Sequence, residues 1–105
     1  MSVKKLFDLT GKVALVTGGS RGLGLQMAQA LGEMGAKVAI TARKPEELAS
    51  ASAHLEALGI DVFSVAHDMA ELDTVATLVD AVLARFGGID ILVNNAGTTW
   101  AAPAQ

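Results

Sequence analysis

The sequence predicts an α/β fold, an open doubly wound parallel sheet in which four short strands alternate with three helices. Three observations carry this expectation. Hydrophobic residues make up 51% of the chain and aromatic ones only 4%, so the interior is built from Ala, Val, Leu and Ile, which suits helices laid on a buried sheet. Four runs rich in β-branched residues recur between turn residues, as buried strands do. Between these runs, apolar residues repeat at helical spacing.

Taken in order, the first strand is Val13 to Val16, stopped by Gly18 and Gly19. Leu23, Met27, Leu31 and Met34 then form the stripe of a helix that Gly35 ends. Val38 to Thr41 is the second strand. Pro45 opens the second helix with a preset φ, and Glu46 and Glu47 follow at its positive dipole end. Its stripe of Leu48, Ser52, Leu55 and Leu58 stops at Gly59. Val62 to Ala66 is the third strand, and Val75, Val79, Val82 and Phe86 mark a third helix that Gly87 ends. Ile89 to Val93 completes the series. Each stripe is expected to face the sheet. Short strands joined by helical crossovers return as parallel neighbours with right-handed connections, giving β-α-β-α-β-α-β. The unit recurs about every 25 residues, but glycines and charges differ between units, so the repetition is topological and not a solenoid.

Length and charge narrow the functions. The 105 residues form one expected domain, 1–105, too short for a binding domain plus a substrate domain. A net charge of -3 supplies no basic field for nucleic acid or an anionic membrane, so a small ligand is expected. The absence of cysteine removes disulfides and thiolate chemistry and agrees with a reducing compartment. Lys4 and Lys5 precede only Leu6 and Phe7 before Asp8, and no apolar run approaches the roughly 18 residues of a membrane span. A cytoplasmic location is the expectation. His54 and His67 are isolated and give no metal-ligand spacing. Asp61, Asp73, Asp80 and Asp90 read as solvated charges at element ends or on helix surfaces.

The stretch Thr17-Gly18-Gly19-Ser20-Arg21-Gly22-Leu23-Gly24 leaves the first strand and opens the first helix. A helix amino terminus carries unpaired N–H groups and partial positive charge, so a pyrophosphate placed there is hydrogen-bonded, provided no Cβ blocks it. On this reading Gly18 makes the turn, Gly22 admits the phosphates and Gly24 lets the helix pack closely on the strand. The loop lacks the Gly-Lys-Ser/Thr ending of a mononucleotide-binding loop.

These residues match the TGxxxGxG pattern of the short-chain dehydrogenase/reductase family, and Asn94-Asn95-Ala96-Gly97 matches its NNAG motif. Asp68 falls where that family places an aspartate on the adenine. The chain therefore resembles the amino-terminal portion of that family, from Phe7 to about Gln105. The segments Phe7 to Lys12 and Ala96 to Trp100 are similar to its gluconate 5-dehydrogenase and 3-oxoacyl reductase-like members. The resemblance implies a Rossmann sheet of strand order 3-2-1-4. Its first and fourth strands then flank a switch point, with the glycine loop and the NNAG segment as the walls of a crevice. The cofactor contacts implied are Gly18, Ser20, Arg21, Gly22, Leu23, Gly24, Arg43, Asp68, Met69, Asn95, Ala96 and Gly97. Asn94 is expected to tie the fourth strand to its neighbours, and Trp100 to cover the core edge or line a substrate entrance.

Cofactor choice follows from charge. A site that prefers NAD usually ends its second strand with an acid that holds the ribose 2′-hydroxyl and repels a 2′-phosphate. Here Ala42 stands in that place, followed by Arg43, and Arg21 lies in the glycine loop. Two guanidinium groups suit a phosphate, which favours NADP over NAD.

The chain contains no tyrosine, whereas the resemblance implies a tyrosine, a lysine four residues on and a serine as catalytic groups. No catalytic residue is therefore assigned within 1–105, and a longer natural product, or a second chain completing the apolar edge at the fourth strand, is expected. The function expected is the cofactor-binding half of an NADP-dependent short-chain oxidoreductase that interconverts an alcohol and a carbonyl, homo-oligomeric at full length. The alternatives are a non-catalytic dinucleotide-binding fragment or sensor and an S-adenosylmethionine methyltransferase. The latter would want an acid near Ala42.

Overall fold

The structure is a computed structural model, and it describes residues 8–68 and 74–95. Seven elements follow one another: β1 (Val13–Thr17), α1 (Gly22–Glu33), β2 (Lys37–Ala42), α2 (Pro45–Ala57), β3 (Val62–Ala66), α3 (Val75–Phe86) and β4 (Ile91–Asn94). All strand pairs are parallel and the order is β3-β2-β1-β4, as expected. β1 is central, its Val16 beside Ile40 of β2 on one flank and Val93 of β4 on the other. It is buried at every position, because it has neighbours on both edges and helices on both faces.

The two-residue period of the strands sorts the core into two layers. Val16, Val38, Ile40 and Val62 point to one face, where Ala28 of α1 and Leu48, Ala51 and Leu55 of α2 cover them. Val13, Leu15 and Ala39 point to the other, against Leu78 and Val82 of α3. Leu55 is fully buried, so its truncation to Ala costs about 2–5 kcal/mol.

All three helices differ from the expected stripes. Leu23 and Met34 of the first stripe are 61% and 42% exposed. α1 instead buries Gly24 and Ala28, because small residues let its axis come close to the sheet. In α2 the buried set is Leu48, Ala51 and Leu55, and Leu58 lies beyond the helix, exposed. Leu78, absent from the third stripe, is buried with Val82. β4 begins at Ile91, two residues later than expected.

Asp90 is also more than a solvated charge. Its carboxylate accepts the Val13 N–H at 2.9 Å while its own N–H donates to the Val13 carbonyl at 2.8 Å, which aligns the entry of β4 with β1. Asp61 pairs with Arg85 at 3.6 Å, and His54 meets Gln29 at 2.9 Å between α2 and α1. Among the described residues, no helix is long and apolar enough to cross a membrane.

Candidate functional site

The carboxyl ends of all four strands lie on one edge of the sheet, and the chain segments leaving them border a cleft of about 660 Å³. Gly18, Ser20, Arg21, Gly22 and Leu23 line it from the loop after β1, Arg43 from the end of β2, Asp68 from the end of β3 and Asn95 from the end of β4. The topology thus brings together candidate residues separated by up to 77 positions in sequence. Met69, Ala96, Gly97 and Trp100 lie outside the described residues.

The glycine loop owes its shape to close contacts. Gly18 sits at φ +67° and turns the chain out of the strand. A Cβ on Gly24 would lie 2.1 Å from the Gly18 carbonyl oxygen and 2.8 Å from the Asn95 side-chain nitrogen, Nδ2. Gly24 therefore lets the helix seat on the loop itself and on the β4 end, whereas the sequence pointed to the strand. Gly22, by contrast, has nothing within 4 Å of its absent Cβ and a φ of +59°. Its backbone faces open space, a bay that a side chain would partly fill. Gly19 is held from the end of β2, donating its N–H to the Thr41 carbonyl at 3.1 Å.

The amino terminus of α1 opens on this bay. Arg21, the N-cap, is extended at φ -162° and makes no side-chain capping bond, and the first turn holds no acid. The first backbone bond of the helix runs from the Leu25 N–H to the Arg21 carbonyl at 3.3 Å, so the preceding N–H groups have no partner within the helix. Positive partial charge and bare donors at a bay without a Cβ fit an anion such as a pyrophosphate.

Thr17 holds the two walls together. Its hydroxyl is fully buried, accepts the Asn95 N–H at 3.0 Å and lies 3.0 Å from the Asn94 side-chain oxygen, to which it donates. Asn94 is thereby linked to β1, as expected. On the far side of the cleft Thr41, Lys44, Glu47 and His67 add lining that the sequence reading missed. Lys44 and His67 adjoin Arg43 and Asp68, which was the available signal. Glu47 had been explained by its helix start alone. The Thr41 hydroxyl is buried and has no hydrogen-bond partner among the described residues. His67 reaches Thr74 at 2.6 Å, joining the end of β3 to the start of α3.

Charge in the cleft is mixed. The Glu47 carboxylate lies 3.9 Å from Arg21 and 3.7 Å from Lys44. Ser20 donates to it at 3.5 Å. With Arg21 79% and Lys44 59% exposed at the side chain, such pairs are weak, and the cations remain available to a ligand.

Known proteins resemble the chain in sequence and in fold. The family model for short chain dehydrogenase matches residues 12–105. A gluconate 5-dehydrogenase of Gluconobacter oxydans is 43% identical over 105 residues, covering 100% of this chain and 41% of that protein. A rhamnolipids biosynthesis 3-oxoacyl-[acyl-carrier-protein] reductase of Pseudomonas aeruginosa is 45% identical over 99 residues, 94% of this chain and 38% of its own length. The crystal structure of a short chain dehydrogenase from Burkholderia cenocepacia in complex with NADP superposes with a TM-score of 0.80 at 49% identity, covering 87% of this chain and 38% of that one. The chain spans about two fifths of the length of the curated relatives it matches. With a family model that spans residues 12–105 and a relative 43% identical along the whole chain, the chain belongs to the short-chain dehydrogenase family.

Proposed function

We propose that this chain is the cofactor-binding half of an NADP-dependent oxidoreductase that interconverts an alcohol and a carbonyl compound. The observation that carries the reading is the bare amino terminus of α1 above Gly22, held by the seat of Gly24 under the Gly18 carbonyl. There the backbone of Gly18 to Leu23 holds the pyrophosphate. Ser20, Arg21 and Arg43 receive the 2′-phosphate, for which no acid at Ala42 competes. Asp68 and Met69 meet the adenine, and Asn95, Ala96 and Gly97 close the adenosine side. When bound, the nicotinamide supplies or accepts the hydride.

The reading is supported by the Burkholderia relative, which was crystallised with NADP. The tyrosine, lysine and serine of the family's chemistry have no counterpart assigned here, and residues 1–105 contain no tyrosine. The full-length protein is expected to be a cytoplasmic homo-oligomer acting on a small hydroxyl or carbonyl substrate. The test is parallel titration of the full-length protein with NADPH and NADH, followed by NADPH-dependent reduction of a panel of ketones and aldehydes. Tighter NADPH binding with turnover supports the proposal. Failure to bind either dinucleotide contradicts it, and binding without turnover on any carbonyl or alcohol replaces it with a non-catalytic sensor.

A further inference from the structure

Glu47 contacts Ser20 and Arg21, two of the residues proposed above to receive a 2′-phosphate. It is the third residue of α2, in the first turn of a helix whose positive end stabilises a carboxylate. That local role explains its presence and not its contacts. The carboxylate reaches across the cleft to Ser20 and Arg21, which lie 27 and 26 positions earlier on the opposite wall, and back to Lys44. Its side chain is 31% exposed, against 79% for Arg21 and 59% for Lys44. The anion is thus the better anchored partner, and the long cationic side chains come to it. Arg43, by contrast, enters no ion pair among the described residues.

We propose that Glu47 sets cofactor preference as a resident counter-ion, a role that rests on the 2′-phosphate being received by Ser20 and Arg21. A dinucleotide phosphate takes Ser20, Arg21 and Lys44 over from Glu47, and the carboxylate then remains beside a group carrying nearly two negative charges. The ion pairs given up are weak because they are solvated. The repulsion that remains is felt only by a cofactor bearing the 2′-phosphate. Glu47 therefore lowers NADPH affinity selectively and narrows the gap to NADH.

The test uses the full-length protein with Glu47→Gln, which keeps an acceptor for Ser20 and removes the charge, and Glu46→Gln as control. Glu46 is exposed in the same first turn and does not line the cleft. The expected result is that Glu47→Gln tightens NADPH binding about threefold or more at low salt, as Coulomb repulsion across several ångströms of water implies. NADH binding changes less than about twofold, Glu46→Gln changes neither, and the NADPH gain shrinks as salt rises. Unchanged or weaker NADPH binding in Glu47→Gln overturns the proposal, as does an equal gain in Glu46→Gln. A wild-type protein that binds NADH as tightly as NADPH contradicts the proposed cofactor instead, whereas the response of NADPH binding to Glu47→Gln alone decides the role of Glu47.

Discussion

The hydroxyl of Thr17 accepts the backbone N–H of Asn95 at 3.0 Å, joining the last residue of β1 to the residue that follows β4. These are the two walls of the cleft, 78 positions apart in sequence. A single buried side chain thus fixes the width of the crevice at the switch point of the sheet, where open α/β sheets hold their ligands.

Thr17→Val is expected to destabilise the protein by about 1–3 kcal/mol, because it leaves the Asn95 N–H and the Asn94 oxygen without their buried partner. Dinucleotide affinity should fall with it, and Thr17→Ser should restore most of both. Denaturant unfolding and calorimetric titration check the two effects; a Val variant as stable and as tight-binding as wild type would remove Thr17 from the architecture of the site.

Gly24→Ala should be among the most damaging single-methyl changes. Its Cβ would lie 2.1 Å from a carbonyl oxygen of the backbone, which no rotamer change relieves. Overpacking of this kind costs about 1–3 kcal/mol, and the shift of the helix start should weaken NADPH binding at least tenfold. Gly88→Ala is the comparison: nothing lies within 4 Å of its Cβ, and stability should stay within about 0.5 kcal/mol. Similar melting temperatures for the two variants would be incompatible with this packing.

Arg43→Asp places an acid at the end of β2, next to Ala42. NADPH binding should weaken about tenfold or more, equivalent to ~1.4 kcal/mol or more, while NADH binding stays within about twofold or improves. Fluorescence titration with both reduced cofactors reads the difference. Equal losses for the two would mean that Arg43 does not face the 2′-phosphate.

The sheet was legible because each strand is a short apolar run between turn residues, and the crossover rules leave few ways to connect such runs. Helix faces were less so. A search for large apolar residues finds Leu23, yet the residues α1 buries are Gly24, seated on the glycine loop, and Ala28, in the core against the sheet, whose value is the closeness they permit and not the area they bury. Leu23 is exposed for a different reason, since it borders the cleft. Gly18, Gly22, Arg21 and Arg43, expected from pattern and charge, and Asp68 and Asn95, expected from the family resemblance, all border the cleft. Glu47 was not, because its partners Ser20 and Arg21 come near only after β1 and β2 have paired. Asp90 escaped for the same reason, its partner Val13 being 77 positions away.

A dinucleotide is expected to rest its phosphates on the backbone where β1 becomes α1. A crystal structure of the full-length protein with NADPH measures this directly. The expected result has pyrophosphate oxygens within about 3 Å of loop N–H groups between Gly18 and Leu23, with the 2′-phosphate between Arg21 and Arg43. A cofactor bound elsewhere on the protein, or lying in the cleft with its phosphates turned away from that loop, would contradict it.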